Sequence, residues 1–189
     1  GNDPSGTTDD ANYNVAVGAT ALDAIIEGAN NTAVGYEALT NNTGRPGDGS
    51  YGGGENTAMG STALKNNTTG WANTAIGART LLENTTGYNN VVIGHQSGED
   101  TTTGTNNCFI GRGSGRLITT GYKNIALGSF ALDASTTGYM NTAVGYQAAT
   151  EITTGHDNTA IGYQAGNAVT TGNDSTLLGR LAGSNLTTG

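Results

Sequence analysis

Asn141-Thr142-Ala143-Val144-Gly145-Tyr146-Gln147-Ala148 is followed by Asn158-Thr159-Ala160-Ile161-Gly162-Tyr163-Gln164-Ala165, the same phrase with one Val-to-Ile exchange, 17 residues further on. Working outward from this pair, Asn-x-x-aliphatic-Gly starts at Asn14, Asn31, Asn56, Asn73, Asn90, Asn107, Asn124, Asn141 and Asn158, with Ser175 in the tenth copy. Every step is 17 residues except Asn31 to Asn56, which is 25. Self-similarity at a fixed short period is the signature of a stacked-repeat architecture.

The columns of the repeat separate fixed positions from free ones. The fourth position is always aliphatic: Val17, Val34, Met59, Ile76, Ile93, Ile110, Leu127, Val144, Ile161, Leu178. The fifth is always glycine, and Thr-Thr-Gly closes most copies, as at Thr68-Thr69-Gly70 and Thr136-Thr137-Gly138. A 17-residue unit with short β-prone runs, a glycine after each and no 3.6-residue apolar stripe is too short for a helix pair. It reads as one coil of an all-β fold, a parallel β-solenoid (β-roll) of ten coils. Glycine supplies the positive φ that tight corners demand. The leading Asn tolerates the left-handed region and can hydrogen-bond its own backbone or, as a ladder, the Asn of the next coil. At the usual interstrand spacing of about 4.8 Å, ten coils give a rod roughly 48 Å long. The domain is expected to run over 14–189 after a lead-in of 1–13, with the extra residues forming a loop insertion at 45–55.

Side chains alternate between the two faces of a strand, so the third and fourth positions point opposite ways. The fourth column is expected to be the structural core. The third reads Ala16, Ala33, Ala58, Ala75, Val92, Phe109, Ala126, Ala143, Ala160, Leu177, apolar in every copy. A strand apolar on both faces is normally covered on both. The third column is therefore expected to be an oligomer interface, best met by a three-fold arrangement, with a dimer also compatible with the pattern.

Composition narrows the function. With 32 Gly, 34% hydrophobic and 6% aromatic residues, the chain cannot fill a thick core with large side chains. Seven Lys and Arg against fifteen Asp and Glu leave a net charge of −8, which disfavours capture of nucleic acid or anionic lipid. No apolar run approaches the roughly 20 residues of a membrane-spanning helix, and no charged-then-apolar leader is evident. One cysteine, Cys108, forms no intrachain disulfide, and two distant histidines are too few for most His-rich metal sites.

The phrase at Asn141 to Ala148 resembles the Ser-Val-Ala-Ile-Gly-x-x-Ala core of YadA-like trimeric autotransporter heads. With Asn-Thr-Thr-Gly at 67–70 and 84–87 it looks still more like repeats of bacteriophage tail fibres. The resemblance covers 14–189 and implies a left-handed, homotrimeric β-roll on a cell or virion surface that binds a host surface protein or glycan. The unit departs from those heads in being 17 residues long rather than about 14.

The residue after Thr-Thr-Gly forms a broken aromatic column, and Trp71, Tyr88, Tyr122, Tyr139 and His156, with Tyr51 in the insertion, are candidate surface-binding residues. Tyr36, Tyr146 and Tyr163 form a sparser second set. No carboxylate pair, activated nucleophile or ligand-spaced His/Cys set stands out, so neither catalytic residues, nor a metal, nor a cofactor is expected. The expected function is a non-enzymatic, extracellular structural or adhesive fibre module. Alternatives are an ice-binding solenoid built on the Thr columns, a subunit that stacks end to end through open edges, and, more remotely, a polysaccharide-degrading β-helix.

Overall fold

The computed structural model of the chain describes residues 13–44 and 53–188. The expected lead-in, save Tyr13, and most of the insertion with Tyr51 lie outside the described residues. Ten three-residue strands follow one another: β1 (Val15–Val17), β2 (Thr32–Val34), β3 (Thr57–Met59), β4 (Thr74–Ile76), β5 (Val91–Ile93), β6 (Cys108–Ile110), β7 (Ile125–Leu127), β8 (Thr142–Val144), β9 (Thr159–Ile161) and β10 (Thr176–Leu178). They form one parallel sheet in sequence order, joined by nine turns of a β-solenoid, and the described residues contain no helix.

Register follows the repeat. Ala143 pairs with Ala160, and across the longer step Ala33 pairs with Ala58, so the extra residues leave the sheet undisturbed. Gly53 and Glu55 have already rejoined the coil, donating to Thr69 O at 3.1 Å and Ala29 O at 2.9 Å. The excursion is thus narrower than 45–55 at its C-terminal side.

Each coil turns on residues in the left-handed region. Gly145 has φ 137°, and a Cβ there would collide with the carbonyl oxygen of Gly162 in the next coil, so both conformation and close stacking demand glycine. Three further positions per coil take positive φ, most of them filled by residues other than glycine, for example Met140 (55°), Gln147 (52°) and Ala149 (53°). Each such residue costs about 1 kcal/mol or more. In return their amides point along the rod: Met140 N–H to Tyr122 O (3.0 Å) and Gln147 N–H to Ser129 O (3.0 Å) one way, Ala149 N–H to Ala165 O (2.8 Å) the other. The strain persists because every coil bonds both its neighbours.

The interior reverses the expected assignment of the two strand faces. Ala33, Ala58, Ala75, Val92, Phe109, Ala126, Ala143 and Ala160, from the third column, are fully buried inside the coil; Leu177 packs half-buried against them and only Ala16, in the first coil, is exposed. They are the core and cannot be an intermolecular seam. Val17, Val34, Met59, Ile76, Ile93, Ile110, Leu127, Val144, Ile161 and Leu178, expected as the core, stand on the outer face, none of them buried. The reason is volume. In the coils of β2, β3, β4 and β7 the third-position Ala shares the core with a ninth-position leucine, Leu39, Leu64, Leu81 or Leu132, itself fully buried, which leaves room for only a small side chain opposite. Where the third position is large, the ninth shrinks. A Cβ on Gly115 or Gly98 would lie 2.8 or 3.2 Å from the Phe109 ring, and one on Gly183 or Gly166 2.8 or 2.9 Å from Leu177.

The Asn ladder between coils is present and buried. Asn73 Oδ1 accepts from the backbone N–H and the side-chain amide of Asn90 (3.1 and 2.9 Å), while Asn73 Nδ2 donates to Gly87 O (2.8 Å). One side chain therefore satisfies polar groups of two coils, which suits an interior where an unmet donor or acceptor is costly. A second ladder at the twelfth position, Asn42, Asn67 and Asn84, stops where Thr101 follows, leaving Asn84 Oδ1 and Thr101 Oγ1 buried without partners.

Candidate interaction surfaces

The outer face of the sheet is a strip two side chains wide. The second position, Thr in six copies and Val15, Val91, Cys108 or Ile125 in the rest, runs beside the aliphatic fourth position. Neither column contains a charged residue. Several members are exposed beyond the level usual for large apolar side chains, among them Met59 (43%) and Ile110 (41%). Cys108 sits in the strip half-buried, and burial raises its thiol pKa above the ordinary value. Over nine spacings of about 4.8 Å and a width of about 10 Å the strip covers roughly 400 Å², within the range of the largest apolar patches on monomers.

The corner aromatic column forms two stacks. Trp71 and Tyr88 lie 4.9 Å apart at 4°, and Tyr122, Tyr139 and His156 follow at 5.0 Å (2°) and 4.6 Å (10°), with Thr105 between the stacks. Coil spacing matches ring spacing, so each ring covers its neighbour's face. The candidates Trp71, Tyr88, Tyr122, Tyr139 and His156 are thus brought together, but present ring edges to solvent. His156 Nδ1 also meets Asp157 Oδ2 at 2.9 Å.

A second file lies at the opposite corner, past the glycine turn. Arg112 sits over Phe130 (5.3 Å to the centroid), Phe130 meets Tyr146 edge-on (6.3 Å), Tyr146 stacks on Tyr163 (5.6 Å) and Arg180 sits over Tyr163 (5.6 Å). Gln164 Nε2 donates to Gln147 Oε1 (2.8 Å) alongside. Column reading found the two tyrosines and missed Arg112, Phe130 and Arg180. Their signal was available, because Arg112 and Arg180 share the sixth position with Tyr146 and Tyr163.

The Thr-Thr pairs divide their work. First-Thr hydroxyls donate to the next coil's backbone, as Thr85 Oγ1 to Thr102 O (3.1 Å) and Thr119 Oγ1 to Thr136 O (3.0 Å). Second-Thr residues such as Thr86, Thr103, Thr120, Thr137 and Thr154 form an exposed rank.

Charges stitch coils together elsewhere. Lys65 pairs with Glu37 (2.7 Å), Arg79 with Glu99, and Arg116 with Asp133 (2.8 Å). The hydrogen bond to Lys65 holds Glu37 below the ordinary carboxylate range, and the bond to Asp133 raises Arg116. Asp100 is raised, first by burial and then by neighbouring Glu99. Among the described residues no three His, Cys, Asp or Glu side chains gather as a metal site would require. Compared with family models, curated proteins and solved structures, the chain matches none.

Proposed function

We propose that this chain is a non-enzymatic structural and adhesive module of an extracellular or virion-surface fibre, as its resemblance to YadA-like heads and tail-fibre repeats implies. It works as a left-handed homotrimer, with its outer strip as the seam and its corners turned to a host or neighbouring surface. The observation that carries this reading is the charge-free outer strip, aliphatic at every fourth position and mostly threonine at the second, running the length of a rod whose own interior is already filled by the third column. Such a face favours a partner that is apolar, uncharged and periodic at the same spacing, and a second copy of the chain has all three properties. At roughly 400 Å² the strip falls short of the ~800 Å² per partner of a standard two-body interface. A closed ring lets each copy use both margins of its strip, which favours a trimer over a dimer. Many weak corner contacts on one rigid rod then add through avidity.

The test is the solution mass of the 18.9 kDa chain by sedimentation equilibrium. Three times the chain mass is expected. An open-ended size distribution would point to a filament subunit, and a monomer would remove the seam. The exposed rank of second threonines keeps an ice-binding reading in view, and thermal hysteresis from a monomeric rod would put that reading first.

A further inference from the structure

The file at the glycine corner differs electrostatically from the rest of the rod. The chain carries fifteen acidic residues, yet positions five to nine of all ten coils hold only one, Glu37, and it is ion-paired with Lys65. Arg112 and Arg180 stand on this corner without a carboxylate partner among the described residues. Each is seated on an aromatic ring instead, which fixes the side chain without neutralising it and leaves the guanidinium donors open. Between them the exposed phenols of Tyr146 and Tyr163 have no hydrogen-bond partner among the described residues. The acids of the same coils are Asp133, bonded to Arg116, and the exposed Glu151, Asp157 and Asp174.

We propose that the file Arg112–Phe130–Tyr146–Tyr163–Arg180 binds a linear acidic polysaccharide laid along the rod. The inference rests on the adhesive reading above and names its ligand class. The two cations stand four coils apart, roughly 19 Å, so the ligand is extended and carries anionic groups at more than one point. Phenol and amide groups fill the span, which suits a polymer with hydroxyls on every unit. A guanidinium donates two parallel hydrogen bonds to a carboxylate or sulfate. A flexible acidic peptide would lose backbone entropy at every residue to lie straight along the file.

The test is gel mobility of the folded chain in the presence of dextran sulfate, polygalacturonate, uncharged dextran and polyglutamate. Retardation by dextran sulfate or polygalacturonate, weakening as salt rises, and none by dextran is expected. The R112Q/R180Q variant should lose at least tenfold in affinity, while Lys123→Gln, which removes the cation 6.0 Å from the centroid of the Tyr122 ring in the other aromatic column, should bind this polymer as the parent does. No binding to either acidic glycan, or unchanged binding by R112Q/R180Q, overturns the proposal. Equal retardation by polyglutamate overturns the glycan class and transfers the site to acidic polypeptides. Sedimentation of the same samples separates the two claims: a trimer that ignores glycans sinks only this inference, and a monomer sinks the seam.

Discussion

The inner and outer faces of β2 to β9 differ by one residue along the chain and by everything in environment. Inside, the alanines of β2, β3, β4 and β7 share the core with leucines, while Phe109 lies against Gly98 and Gly115. Outside, larger aliphatic side chains have nothing of their own chain above them. Hydrophobicity does not separate the two columns, since both are apolar in every copy. Size does: the coil accepts inside whatever completes a fixed volume and leaves outside what would overfill it.

The sharpest way to break this contrast is to empty the inner face at its largest residue. Phe109→Ala should cost about 3–5 kcal/mol, read as a lowered denaturation midpoint. Adding Gly115→Leu should recover part of that loss, because Leu132 already occupies the equivalent position at φ 52°. If the second change deepened the loss, the volume argument would fail.

Cutting the ladder comes next. Asn73→Ala removes the acceptor for two Asn90 donors and the donor to Gly87 O, and should cost about 2–3 kcal/mol in urea unfolding. Thr101→Val, which removes a buried hydroxyl without a partner, should instead stabilise by about 1 kcal/mol.

On the outer face the same kind of change should read out differently. Ile76→Lys should leave chain stability within about 0.5 kcal/mol while shifting sedimentation from trimer to monomer. A comparable loss of stability from Ile76→Lys and Phe109→Ala would erase the distinction between faces.

The smallest effect concerns pH. Asp100 has a raised pKa in the folded chain, so the fold disfavours its charged form, and this contribution to stability falls as pH rises through the window between its unfolded and folded values. Asp100→Asn should therefore flatten stability against pH in the acid range, measured by thermal melts. Glu37 runs the other way, its contribution being present above the ordinary carboxylate pKa and lost as pH falls through the lowered folded value.

Much of the architecture was legible from residues alone. The 17-residue spacing of Asn and Gly predicted parallel, in-register coils, and Ala143 opposite Ala160 follows from it. The Asn ladder was legible because each of the nine leading Asn residues has another one coil away. What could not be read was which way each strand faced, since alternation carries no information when both columns are apolar. The available clue was covariation: Gly98 and Gly115 replace Leu where Phe109 replaces Ala, and Gly166 and Gly183 do so around Leu177. The aromatic column was visible as residue types, but stacked rings with covered faces emerge only when coil spacing sets ring spacing.

The sequence by itself determined the period, the parallel stacking and the polar ladder, because these depend on identical residues recurring at a fixed separation and interacting with their own copies. Only the tertiary structure decided which apolar column lies inside and which cations stay without acids. Both depend on volume and distance across the coil, between positions such as Phe109 and Gly115 or Arg112 and Phe130, and no spacing along the chain encodes those quantities.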